Sequence, residues 1–248
     1  MVLKPIDIII PTLNRRKYLE IILKQLRMIT HYPYRIIVVM NLCNDDTADF
    51  LYANKNLYDI LIPLQSIYSL GECLNLALDK VESEDLIVTN DDMLIYNDGW
   101  LNDLYHIYKN GGWFAIRPFA VPFPKIDNRP NYAPEDLIME RSYAMNSYYR
   151  ICNTEKIRKV GGFKWEANIE PSGRRGKDRE GWGFSRIIKL YHGGVGKYLK
   201  IRMMDMSRIH RQPWSIQNQC FQHFIKTGEV YFDNIGSNKS MVVYSRRS

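Results

Sequence analysis

The chain contains the stretch Asp85-Leu86-Ile87-Val88-Thr89-Asn90-Asp91-Asp92-Met93, in which a short apolar run leads directly into polar side chains. The run is typical of a buried strand. The two adjacent carboxylates that follow it repel each other and cost stability if they are buried without a partner. A divalent cation would turn that cost into a binding site, because Mg²⁺ and Mn²⁺ prefer oxygen ligands. A polar turn with solvated acids explains the same residues equally well.

Strands and helices alternate along the first half of the chain. Hydrophobic periodicity predicts strands at 6–10, 35–40, 59–62 and 86–88, and helices at 15–29 and 71–81. Asn14 is the expected N-cap of the first helix. This alternation predicts an α/β fold with a mainly parallel sheet and helices on both faces. Polar clusters follow the first, second and fourth strands, where ligands bind in open α/β sheets.

The second half of the chain is less regular. The sequence predicts a helix at 99–109, a strand at 113–117, a capped helix ending in glycines at 153–163, a strand at 197–203 and a helix at 215–226. Four prolines between residues 119 and 134 oppose regular structure there. We expect an ordered loop, either a flap or a simple connector.

Composition limits the classes of function. A chain of 248 residues with 46% hydrophobic residues can bury a substantial core. Its net charge of +7 suits a nucleotide phosphate, nucleic acid or an anionic membrane surface. The four cysteines show no CxxC pair or metal-like spacing, which predicts a reduced, cytoplasmic compartment. No signal-peptide pattern precedes the first strand, and no apolar run reaches the ~18 residues of a membrane span.

Three motifs occur in order along the chain: Ile8-Ile9-Ile10-Pro11-Thr12-Leu13-Asn14-Arg15, then Val38-Val39-Met40-Asn41 with Asn44-Asp45-Asp46-Thr47, and then Asn90-Asp91-Asp92. They resemble the motifs of the large inverting family of GT-A-fold glycosyltransferases, the family 2-like enzymes, over roughly residues 6 to 205. The resemblance implies a GT-A (Rossmann-like) fold. It also implies a hexosyltransferase-like enzyme that moves a sugar from a nucleotide-diphosphate sugar to a glycan or other hydroxyl acceptor.

The resemblance assigns the donor site to the three motifs, namely to Pro11, Thr12, Asn14, Arg15, Asn41, Asp45, Asn90 and Asp91. The family usually has an acid where Met40 stands, so the contact to the base or ribose passes to Asn41. The family's DXD-type motif begins here with an asparagine, so metal binding would depend on Asp92. Many metal-dependent relatives place a further histidine ligand after the last strand, and His210 occupies that place. The implied cofactor is Mn²⁺ or Mg²⁺.

The family's catalytic acidic motif falls within residues 172–186, where the paired acids are reduced to Asp178 and Glu180. An inverting transfer needs one carboxylate to take the proton of the acceptor hydroxyl. Glu180 matches the motif better in position, and Asp178 is the second candidate. Both acids could instead cap the following helix or pair with neighbouring arginines. Trp182 is expected on the acceptor side as a sugar-stacking platform, or else in the core.

We therefore expect one GT-A domain over residues 1–212, with a nucleotide-binding half at about 1–110 and a smaller acceptor-side half at about 111–212, followed by a helix and tail at 213–248. No nucleic acid partner is expected. The alternative is a catalytically decayed module of the same fold that binds a glycan or a polyanion. Met40 and the weakened acidic motif favour this alternative, whereas the retained Asn90-Asp91-Asp92 and His210 oppose it.

Overall fold

The structure, a computed structural model, describes residues 4–120, 139–142, 149–159, 161–163, 195–206 and 213–228. Its strands are β1 Ile6–Thr12, β2 Tyr34–Met40, β3 Ile60–Pro63, β4 Asp85–Val88, β5 Met93–Ile95, β6 Ala115–Ala120, β7 Met139–Ser142, β8 Arg150–Asn153 and β9 Val195–Asp205. Its α-helices are α1 Arg16–Ile29, α2 Thr47–Ala53, α3 Leu70–Leu78, α4 Trp100–Asn110, α5 Thr154–Lys159 and α6 Trp214–Thr227. The predicted strands and helices are thus present, with their ends shifted by a few residues.

All of the described strands join one sheet. Its order is β3-β2-β1-β4-β8-β6-β9-β5, and β7 pairs with β9 off this path. β3, β2, β1 and β4 run parallel to one another, as the alternation of strands and helices predicts. β8 is antiparallel to both β4 and β6, so the second half of the sheet is mixed.

The strand order reverses between β1 and β4, because β2 and β3 extend from one side of β1 and β4 lies on the other. The crevice outside the carboxyl ends of the strands at such a reversal is the usual ligand site of open α/β sheets. The fold therefore directs a ligand to the loops that follow β1 and β4.

Helices cover both faces of the sheet, as the sequence predicts. Successive residues of β1 face opposite sides, so Ile8 packs in the core formed with α1, α4 and α6, and Ile9 in the core formed with α3 and α5. β1 is buried along its whole length, which explains why Ile8, Ile9 and Ile10 follow one another as apolar residues instead of alternating with polar ones.

The C-terminal helix α6 packs on the same core as α1. The Tyr18 ring meets the rings of Trp214 and Phe221 edge-on, each at a centroid distance of 5.9 Å. The Tyr18 hydroxyl donates a hydrogen bond to Gln217. Within the described residues, none of the helices has the length and apolar character needed to cross a membrane.

The amino end of β1 is held by a buried ion pair. Asp7 is fully buried, and its carboxylate accepts hydrogen bonds from Arg35 Nε at 2.7 Å and Nη2 at 3.0 Å. The backbone N–H groups of Glu82 and Ser83 donate to Asp7 Oδ2 at 2.9 and 3.0 Å. Burial acts to raise the pKa of Asp7, but these hydrogen bonds and the Arg35 charge outweigh it, so the pKa is lowered.

Candidate functional site

The three sequence motifs meet at the carboxyl end of the parallel strands. Asn41 N–H donates to Thr12 O at 3.0 Å just beyond β2, and Thr89 N–H donates to Ile9 O at 3.0 Å just beyond β4. These bonds continue the strand pairing into the loops. The loops after β1, β2 and β4 therefore leave the sheet side by side.

Asp91 and Asp92 are both buried at this edge. Thr12 Oγ1 donates to Asp91 Oδ2 at 2.7 Å. The guanidinium of Arg15 forms an ion pair with Asp92 Oδ2, and its Nη1 lies 3.7 Å from Asp91 Oδ1. The first motif thus supplies a hydroxyl and a cation directly to the two carboxylates of the third motif.

The electrostatics of this site are set by burial. Burial and the neighbouring Asp92 charge raise the pKa of Asp91 to about 7, although Arg15 and the Thr12 hydroxyl act in the opposite direction. Burial also acts to lower the pKa of Arg15, but the two carboxylates outweigh it and raise that pKa. Arg15 is therefore positively charged at any physiological pH, and its charge partly balances the negative charge of Asp91 and Asp92.

The oxygen atoms of the third motif fit Mg²⁺ or Mn²⁺. Besides the two carboxylates, Asn90 presents Oδ1, which is buried and has no hydrogen-bond partner among the described residues. Oxygen ligands of this kind suit both metals. Within the described part of the chain, no three His, Cys, Asp or Glu side chains gather into a metal-binding group. Oxygen atoms from a bound ligand would therefore have to complete the coordination, as phosphates do in many magnesium sites.

Asn14 does not cap α1, contrary to the sequence prediction. It adopts a left-handed backbone conformation with φ of 54°, and the helix begins two residues later at Arg16. Its side-chain Oδ1 accepts a hydrogen bond from Asn44 N–H at 2.8 Å, and its own N–H donates to Cys43 Sγ at 3.4 Å. Asn14 therefore joins the first motif to the second, and its short polar side chain suits the left-handed conformation.

The remaining predicted donor residues have local partners. Pro11 is buried in β1. Asp45 is exposed, and its Oδ1 accepts a hydrogen bond from Thr47 N–H at 3.0 Å at the start of α2. The Asn41 carboxamide binds the backbone of Tyr68 from both sides: Nδ2 donates to Tyr68 O at 2.8 Å, and Oδ1 accepts from Tyr68 N–H at 3.0 Å.

Tyr68 is a residue of this region that the sequence reasoning missed. It lies just before α3, whose first turn carries a capping box between Ser69 and Glu72. The Ser-x-x-Glu pattern is a known helix-start signal, and it could have located this loop.

Four predicted residues, Asp178, Glu180, Trp182 and His210, lie outside the described residues. Met206 N–H donates to Asp92 O at 2.8 Å, so the chain leaves β9 beside the acidic pair, four residues before His210.

Comparison with known proteins bears on the family and the fold of the chain. The family model described as "Glycosyl transferase family 2" matches residues 7–160. No curated protein sequence matches the chain significantly.

Solved structures share the fold at low sequence identity. TarS 1-349 from S. aureus in complex with UDP-GlcNAc has a TM-score of 0.60 at 16% identity, covering 81% of this chain and 58% of its own. The mannosyltransferase PcManGT from Pyrobaculum calidifontis, in complex with GDP-Man and Mn²⁺, has a TM-score of 0.63 at 15% identity, with coverages of 91% and 65%. GalNAc-T7 with UDP, GalNAc and Mn²⁺ has a TM-score of 0.63 at 14% identity, with coverages of 82% and 44%. The chain thus spans less than two thirds of the length of each of these proteins.

Proposed function

The chain belongs to glycosyl transferase family 2 and has the predicted GT-A fold, and from this premise we propose that it transfers a sugar from a nucleotide-diphosphate sugar to an acceptor hydroxyl with inversion. The observation that carries the proposal is the group formed at the β1–β4 reversal by the buried residues Thr12, Asp91 and Asp92 and the half-exposed Arg15. A nucleoside diphosphate is the ligand class whose charge and oxygen atoms match a permanent guanidinium beside two carboxylates.

In this proposal Arg15 binds the donor diphosphate. Its guanidinium can form paired hydrogen bonds with phosphate oxygens, and its charge opposes the negative charge that builds on the leaving group. Thr12 keeps the Asp91 carboxylate in place through its hydroxyl. Asp92, with Asn90 and His210, would hold Mn²⁺ or Mg²⁺, which as a Lewis acid supplies stabilisation of the leaving diphosphate.

The acceptor hydroxyl loses its proton to a carboxylate, for which Glu180 is the first candidate and Asp178 the second. Trp182 would stack on the acceptor sugar. If Glu180 is the base, Glu180→Gln should lower turnover by about 10²–10⁴-fold and leave donor affinity nearly unchanged, because proton transfer contributes in the transition state. Asp178→Asn is the matched control, and a large loss in that variant alone would assign the base to Asp178.

The proposal is tested by incubating the purified chain with UDP-GlcNAc, UDP-glucose and GDP-mannose, with Mn²⁺ or with EDTA. Release of the nucleoside diphosphate that depends on the chain and on Asp92 is the expected result. Nucleotide binding without any release would favour the alternative, a decayed module. The absence of both binding and release would overturn the assignment of the acidic pair to a nucleotide sugar.

A further inference from the structure

A second cleft lies along α3, on the face of the sheet opposite α1. Its volume is about 530 Å³, which is within the range of small-molecule sites. Its lining includes Tyr68, Glu72, Leu76 and Asp79 from α3 and its flanks, and Arg158 and Gly161 on the side of α5. None of these residues belongs to the acidic site at the β1–β4 reversal.

The walls of this α3 cleft are held in place by hydrogen bonds that cross large sequence distances. The Asn41 carboxamide fixes the backbone of Tyr68 at one end. Asn75 binds the backbone of Phe163 in the same two-sided way, accepting from its N–H at 2.7 Å and donating to its O at 3.2 Å. Arg158 donates to Leu78 O at the end of α3 at 3.2 Å and to Val81 O, three residues beyond the helix, at 2.8 Å. The cleft is therefore formed before any ligand arrives, which lowers the entropic cost of binding.

The chemistry of the lining suits a ligand with hydroxyl groups and apolar ring faces. The rings and chains of Tyr68 and Leu76 are 38% and 36% exposed, although both residues are large and apolar. Glu72 Oε2 accepts from Ser69, which leaves Oε1 available as an acceptor. The backbone N–H of Asp79 donates to Asn75 O at 3.3 Å, but its carboxylate forms no hydrogen bond or ion pair with any described residue. An aromatic face flanked by carboxylates can stack on a sugar ring and accept hydrogen bonds from its hydroxyls.

Charge narrows the ligand class further. The protein has a net charge of +7, but the α3 cleft carries two carboxylates and one guanidinium. The guanidinium of Arg158 is already committed to two backbone carbonyls and to Glu155 Oε1 at 3.1 Å. A polyanion would meet repulsion from Glu72 and Asp79 here, so the cleft favours a neutral ligand over nucleic acid or an acidic polysaccharide.

We propose that the α3 cleft binds a neutral oligosaccharide, with successive sugar rings lying along the helix. Glu72 and Asp79 are two helical turns apart, about 10 Å at 1.5 Å per residue, which is about the length of two sugar rings. Tyr68 stacks on one ring at the end nearer the donor loops. The role of the cleft as a subsite for an acceptor chain rests on the proposed transfer reaction, whereas the binding itself does not.

The test is calorimetric titration of the whole chain, without donor or metal, using maltopentaose, cellopentaose, chitopentaose and mannopentaose. Tyr68→Ala is the decisive variant, because Asn41 binds only the backbone of residue 68 and the loop keeps its anchor. Tyr52→Ala, which removes an exposed tyrosine from α2, 51% exposed against 38% for Tyr68, is the matched control. Asp79→Asn tests the carboxylate, and a heparin oligosaccharide is the anionic probe.

We expect at least one neutral pentasaccharide to bind, Tyr68→Ala to weaken it at least about tenfold, and Tyr52→Ala to bind like the parent. The proposal is overturned if none of the four binds, if the two tyrosine variants behave alike, or if heparin binds in a manner that depends on Tyr68. Release of diphosphate from nucleotide sugars is measured separately. Loss of the cleft proposal therefore leaves the transferase proposal standing, and the reverse also holds.

Discussion

A methyl group added to Gly162 would lie 2.3 Å from Asn75 Oδ1, the oxygen that accepts the hydrogen bond from Phe163 N–H. Gly162 also has a φ of +81°, a conformation that side chains disfavour. Two independent constraints thus require glycine at this position. With glycine at this position, Asn75 on α3 can bond the backbone of Phe163. The chain after α5 therefore lies against α3, and Phe163 is buried in the core beneath that helix.

Gly162→Ala should therefore destabilise the protein by more than its backbone conformation alone would cost. We expect a loss of about 2–4 kcal/mol in the free energy of unfolding, measured by urea denaturation, from the left-handed backbone and the clash together. Gly112→Ala is the matched control, because Gly112 has a φ of +63° but nothing within 4 Å of its added methyl group. It should lose only about 1–2 kcal/mol. Equal losses in the two variants would show that the contact with Asn75 does not matter.

Asp92→Asn should remove the metal-linked part of nucleotide affinity. The substitution deletes a carboxylate from the oxygen group that fits Mg²⁺ or Mn²⁺, while the Asp91 bond to Thr12 remains. Titration of UDP and GDP, each with Mn²⁺ and with EDTA, should show metal enhancement in the parent chain and at least about a tenfold smaller one in the variant. Asp49→Asn, an exposed acid on α2, should change nothing. Unchanged enhancement in Asp92→Asn would refute the metal assignment.

Acid should weaken the fold partly through Asp7. Its pKa is lowered in the folded state, so its contribution to stability is complete above the unfolded value of about 3.9 and is lost as pH falls through the folded value. Asp7→Asn should lower the free energy of unfolding at pH 7 and flatten its decline between pH 5 and pH 3. Urea denaturation across this range measures both effects. Asp79→Asn changes an exposed acid whose carboxylate has no partner among the described residues, and it should keep the slope of the parent chain. An identical slope in Asp7→Asn would contradict the prediction.

The sequence predicted what depends on local pattern. β1 and β4 contain the apolar runs at 8–10 and 86–88, and their order with the intervening helices implies that Thr12 and Asp91 lie at the same edge of the sheet. It could not predict contacts that depend on geometry between distant residues. The Asn75–Phe163 bonds join residues 88 positions apart, and no periodicity marks a carboxamide for a particular backbone partner.

Asn14 shows a different reason for failure. Asparagine is common both as an N-cap and in the left-handed conformation. The position of Asn14 directly before a helical pattern predicted the N-cap role. The loop after β2 favours the left-handed conformation, because its Asn44 N–H donates a hydrogen bond to the Asn14 side chain. Tertiary contact thus overrode a local preference at the edge of the site.

Removing Arg15 should make the stability of the fold depend on divalent cations. Arg15 supplies positive charge to two buried carboxylates, and a buried charge that loses one of its partners costs about 1–3 kcal/mol. At pH 8.5 Asp91 is ionised in the parent chain, where its pKa is about 7. Arg15→Ala should lose about that much at this pH, because Asp91 must then either keep its charge without Arg15 or take up a proton. Mg²⁺ at about 10 mM should restore part of the loss in Arg15→Ala and shift the parent chain little, because Arg15 already occupies the site.

Arg16→Ala is the matched control, because Arg16 is the next residue and pairs with Glu20 at 2.7 Å instead of the buried pair. Its small loss of stability should not respond to Mg²⁺. Thermal unfolding of the three proteins, with Mg²⁺ and with EDTA, gives the comparison. If Mg²⁺ stabilises all three equally, the cation does not act at the carboxylates that Arg15 covers. If Mg²⁺ stabilises Arg15→Ala alone, then Arg15 and the metal compete for the same carboxylate oxygens. Binding of the metal with the donor must then break the ion pair between Arg15 and Asp92, and the guanidinium becomes free to bind the donor phosphates.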